Sequence, residues 1–195
     1  MARFSREQEA SIERKVRLFS TILEKGLSKE ELERRLELIE QIIIEKRLKW
    51  YEKNKRQLAY LRKRGISDLQ RAVGLLYAYH MKVFEGITVV PFLDIEQGIF
   101  SVDIQARNFC PYLEAFKRMR IKPEDSVRLC QQVLERPCQV IVGKVNPNIR
   151  FFRDYGHVRP LADYCDETMI IRASKDSSYE KILYLAYPRL KHLSA

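Results

Sequence analysis

At Gly86 the period of the hydrophobic pattern changes, and that switch limits the folds open to this chain of 195 residues. Before it, apolar residues recur every three or four positions. Ile12, Val16, Phe19 and Leu23 define an amphipathic helix over Arg6–Lys25, and Gly26 follows where a left-handed cap is needed. Ser28 and Glu31 form a capping-box pair, each able to satisfy a free backbone N–H of the other. Behind them Leu32, Leu36, Ile39, Ile43 and then Trp50 mark a second helix over Lys29–Arg64. Gly65 ends it. Ser67 and Gln70 open a third helix, carried to Val83 with Leu69, Val73 and Leu76 on one side.

Beyond Gly86 the pattern alternates. ITVVPFLDI and GIFSVDIQA, separated at Gly98, read as two antiparallel strands, and Pro91 places the first at a sheet edge. Helices are expected over Pro111–Met119 and Pro123–Leu134, with a short one after Pro137. Strands are expected within Asn148–Tyr155 and Asp166–Ala173, and a last helix over Tyr179–Tyr187. The fold class is α+β: an N-terminal helical hairpin plus a helix, packed on a small antiparallel sheet with interspersed helices. Two regions follow, a basic helical one over 1–84 and a cysteine-containing α+β domain over 85–195. No Gly/Ser-rich linker separates them, so shared packing is expected.

Charge narrows the partners. The net charge is +10, and residues 46–64 hold nine Lys/Arg against a single acid, Glu52. With Trp50, Tyr51 and Tyr60 interleaved, such a stripe can track a phosphate backbone and stack on bases, or dock an acidic protein. Lys53, Lys55, Arg56 and Arg62 are the candidate contacts; a merely solvated helix face is the plainer alternative. No run of eighteen apolar residues exists, so no membrane span is expected. The N-terminus lacks a hydrophobic signal region, which makes the cytoplasm the expected compartment. The apolar stripe of the N-terminal helices can pack on its own domain or form a homodimer.

All four cysteines fall between Cys110 and Cys165. In a cytoplasmic chain these are thiols or metal ligands rather than disulfides. Cys110 precedes Pro111 at a strand-to-helix junction, where helix N–H groups favour a thiolate and hence a nucleophile. Cys130 and Cys138 flank a helix end and have buried packing as their ordinary role. Cys165 sits beside Asp166 and Glu167, with His157 in the preceding loop. A carboxylate beside a thiol can act as general base. Arg150, Arg153 and Arg159 can clamp a substrate carboxylate in bidentate fashion. No C-x-x-C pair is present, so a metal or iron–sulfur site would have to be assembled from distant residues, and no cofactor is specified.

The order of these pieces resembles the L-2-amino-thiazoline-4-carboxylic acid hydrolase family over residues 102–171. The resemblance rests on CPY at Cys110–Tyr112 followed by LEAFK, on Cys130, on NPNIRF at 146–151 and on Cys165–Asp166. It implies a hydrolase of cyclic amidine C–N bonds acting on a small sulfur amino acid. On that basis Cys110, Asp166 and Cys165 are the catalytic candidates, with Tyr112, Cys130, Arg150 and His157 binding substrate. Family members carry acids shortly after the second cysteine, where this chain has Gln131, Gln132 and Val133. That departure leaves a catalytically inactive binding protein as an open reading.

Overall fold

The computed structural model describes residues 4–22, 27–81, 86–94 and 96–172. Its first helix, α1, spans Arg6–Ser20 and starts in a full capping box between Ser5 and Gln8. α2 runs over Lys29–Lys63 behind Ser28, whose side chain accepts from the Glu31 amide. α3 covers Asp68–Met81, and the Ser67–Gln70 pair closes reciprocally at its start. The expected cap at Gly26 and the helix at Tyr179–Tyr187 lie outside the described residues.

The strands β1 (Ile87–Asp94), β2 (Ile99–Ala106), β3 (Arg150–Arg153) and β4 (Cys165–Arg172) form one antiparallel sheet in the order β1-β2-β4-β3. Pro91 does lie on an edge strand, where its missing N–H leaves no gap inside the ladder. Between the two hairpins sit α4 (Pro111–Arg118) and α5 (Pro123–Gly143). The α+β class is as the pattern indicates. One element differs: the helix expected to stop at Leu134 continues through Pro137 to Gly143. A proline inside a helix costs about 3 kcal/mol. Val133, Leu134, Cys138, Ile141 and Val142 are all buried, and burying each large aliphatic side chain returns roughly 1.5–3 kcal/mol. Continuity of that buried face outweighs the break.

The sheet has one covered and one open face. Phe100, Val102, Ile104 and Ala106 of β2, with Met169 and Ile171 of β4, pack against α3, α5 and Leu58 of α2 in one core. A second cluster joins Phe19 of α1, Leu36, Ile39 and Ile43 of α2, Tyr112 and Phe116 of α4, and Val133 and Leu134 of α5. The apolar stripes of α1 and α2, offered above for a homodimer, are therefore occupied within the chain. No helix among the described residues is long and apolar enough to cross a membrane.

Candidate functional site

Cys110 is the N-cap of α4, held extended at φ −119° and ψ 109° with Pro111 at the first helical position. Proline fixes where the helix begins and so fixes where the cysteine stands. Burial pushes the Cys110 thiol up, against the pull of the Leu113 and Tyr112 amides. On α5, steps of four align Cys130, Leu134 and Cys138 along one side. On β4, alternation puts Cys165 and Glu167 on the covered face. These elements converge. All four cysteines line one cavity of about 70 Å³, and a smaller neighbour of about 30 Å³ shares Cys110, Cys130 and Cys165.

Charged side chains complete the walls. Arg153 of β3 stands opposite Glu167 in the register and donates to Glu167 Oε1 through Nε at 2.8 Å and Nη2 at 2.5 Å. Its third nitrogen donates to Cys130 Sγ at 3.1 Å. Tyr77 of α3 donates its hydroxyl to Glu167 Oε2, so both carboxylate oxygens are engaged. Burial, then the neighbouring Glu167 charge, pushes the Tyr77 hydroxyl well above its ordinary range. Arg47 of α2, buried to 1% exposure, donates to Cys138 Sγ at 2.9 Å. Arg159 donates to the carbonyl oxygens of Arg107 and Asn108 at 3.0 and 2.7 Å.

The lining thus holds three guanidiniums, Arg47, Arg153 and Arg159, against one carboxylate, Glu167. Nearby, Lys15 of α1 lies 4.7 Å above the Tyr112 ring, and burial followed by the charges of Lys46, Arg14 and Arg47 pushes its pKa down to about 8. Two of the lining residues each hold a buried donor that has no hydrogen-bond partner among the described residues, Asn108 Nδ2 and Arg159 Nε. A buried unsatisfied donor costs roughly 1–3 kcal/mol, which an incoming acceptor would recover.

Two of the sulfurs, Cys110 and Cys130, are held away from the thiolate by burial. Burial pushes Cys130 up to about 12, with Arg153 working the other way. No three Cys, His, Asp or Glu side chains among the described residues are grouped to hold a metal ion.

Of the residues singled out by sequence, Cys110, Cys130, Cys165 and Tyr112 meet at the cavity. Asp166 does not. It points to the open face of the sheet, where it borders an open depression of about 560 Å³ with Asp103 and Asp154. Consecutive strand residues face opposite sides, so a carboxylate adjacent to Cys165 in sequence cannot share its pocket; Glu167 does. Arg150 is exposed and donates to the Pro147 carbonyl at 3.0 Å, away from the thiols. His157 packs its ring on Tyr164 at 4.4 Å and lines no part of the cavity. Lys53, Lys55, Arg56 and Arg62 are all exposed on α2, but helical spacing sets Lys53 and Arg56 on a different side from Lys55 and Arg62. Arg47, Tyr77 and Asn108 were not singled out. Arg47 carried a signal: it follows Ile39 and Ile43 by steps of four, a cation on an apolar stripe.

Comparison with protein-family models, curated proteins and solved structures finds no match.

Proposed function

We propose that the cavity binds a small anionic molecule with a polarisable body, in a hydrolase-like protein of the kind the CPY, NPNIRF and Cys165–Asp166 segments resemble. What carries the reading is the convergence of four thiols and three guanidiniums on one pocket with two unpartnered buried donors. Cationic walls and free N–H groups suit a carboxylate; sulfur supplies a soft, polarisable lining. The volume of about 70 Å³ is below the roughly 150 Å³ of a cavity that admits benzene. The resting pocket therefore takes a few heavy atoms, and a ring carboxylate requires a wall to move.

Binding is favoured over turnover, because Cys110 and Cys130 are held protonated by burial. If chemistry occurs, Cys110 is the thiol placed to attack a C=N carbon, with Glu167 as the only carboxylate in the lining among the described residues. Thermal-shift titration should separate L-2-amino-thiazoline-4-carboxylate and small thio-carboxylates, which raise the melting temperature, from their uncharged amides, which do not. Arg159→Met should weaken carboxylate binding roughly ten- to hundredfold, the worth of one charged hydrogen bond. Equal binding of the amides would remove the anionic reading. Release of an N-carbamoyl product by the wild type and not by Cys110→Ala would add the hydrolase step.

A second surface has its own support. Lys46, Lys49, Lys53, Arg56 and Lys63 are exposed along α2, and none has a carboxylate partner among the described residues. We propose that this helix docks an acidic partner.

A further inference from the structure

The cations of α2 stand in a row. Lys46, Lys49, Lys53, Arg56 and Lys63 follow at steps of three, four, three and seven, and Tyr60 fills the last gap, so all six share one side of the helix. At 1.5 Å per residue the row is about 26 Å long. The two acids beside it are turned to other partners: Glu52 pairs with Lys55 at 2.5 Å, and Glu45 accepts from Gln41. Tyr60 is 57% exposed, with the Arg64 guanidinium 5.8 Å over its ring. Trp50 and Tyr51, by contrast, are partly buried and pack against the core.

From this placement we infer that the face binds single-stranded nucleic acid, with the cations on successive phosphates and Tyr60 stacked on a base. The inference rests on the docking role proposed for α2 and names its partner. A regular row of unpaired cations gains most from a linear polyanion, because neutralising phosphates releases condensed counterions. Exposed ion pairs with an acidic protein lack that gain and are individually weak. An interfacial membrane helix needs an apolar face beside its basic one, and here the side opposite the row is buried in the core. An exposed aromatic ring amid the cations has a use on unpaired bases that it lacks on a duplex.

The test uses the full chain and a labelled oligouridine RNA of about 20 nucleotides, read by fluorescence anisotropy across salt concentrations. Five phosphate contacts on a single strand predict a slope of about −3.5 for log K against log salt. The triple variant Lys49→Gln, Lys53→Gln, Arg56→Gln should reduce it to about −1.4. Tyr60→Ala should weaken binding about fivefold or more while leaving the slope unchanged. All four positions are exposed, and circular dichroism confirms that α2 is retained. Binding of poly-glutamate without binding of RNA would overturn the nucleic-acid assignment and leave the docking role standing; binding of neither at low salt would overturn both. Equal affinity for duplex RNA, with Tyr60→Ala neutral, would overturn the single-strand assignment.

Discussion

At the scale of single residues, the cavity is governed by Glu167 and the thiols around it. Glu167 and Arg153 are an almost fully enclosed ion pair, 6% and 9% exposed at their side chains. Removing one charge strands the other, which costs about 3–5 kcal/mol. Glu167→Gln should therefore destabilise strongly in chemical denaturation, whereas Asp166→Asn, on the open face, should change stability by no more than about 0.5 kcal/mol and leave ligand binding intact. A loss of binding in Asp166→Asn would restore that residue to the site. Cys130 gives a pH signature. Its thiol ionises near 9 when unfolded but is pushed up to about 12 in the fold, first by burial. The folded state keeps a proton that the unfolded chain releases between those values. Stability from Cys130 is thus complete below the lower value and drains away as pH rises through the window. Denaturation of wild type and Cys130→Ala at several pH values should show the wild type losing stability faster; equal slopes would mean that the thiol is not held protonated.

At the scale of elements, most of what positions the site could be read from local pattern. Pro111 announced the start of α4 and put Cys110 at its cap; the alternating runs gave β1 and β2; the Ser67–Gln70 pair opened α3. The failures have physical causes. Asp166 rests on the resemblance at Cys165–Asp166, whereas the two-residue period of a strand puts Glu167 on the side of Cys165. Pro137 looked like a helix end because propensity is local, while the face that carries α5 through it is buried by distant elements. Tyr77 and Asn108 gave no signal, since their partners lie far along the chain. Asn108 also depends on a turn. Gly86, at φ +73°, lies so close that a Cβ there would sit 3.1 Å from the Asn108 nitrogen and 3.2 Å from its Cα. A left-handed conformation alone costs a non-glycine residue about 1–2 kcal/mol. Gly86→Ala should lower stability by at least that amount and, by shifting the Asn108 backbone, weaken carboxylate binding in the same thermal-shift titration. Unchanged binding in a folded Gly86→Ala protein would show that Asn108 does not contact the ligand.

At the scale of the whole molecule, the cavity exists because helices from the first part of the chain close over the covered face of the sheet. Arg47 on α2 and Tyr77 on α3 come from before Gly86, and every other charged or sulfur-bearing wall comes from after it. The core is shared in the same way: Leu58, Leu69, Leu75 and Leu76 belong with Ile104, Ile141 and Met169 in one cluster. Residues in one packed core melt together, because separating the two regions exposes the apolar surface of both. The chain supplies its own reporters. Its single tryptophan, Trp50, packs against the core from α2, and Cys138 lies buried on α5. Urea titration followed by Trp50 fluorescence and by the thiol reactivity of Cys138 should give coincident midpoints. Two separated transitions would mean that 1–84 and 85–195 fold independently, and a pocket built from both could then open by parting them. Coincidence instead requires that any wall movement admitting a ring-sized ligand be local, within the loop that carries Arg159 or the turn that carries Asn108.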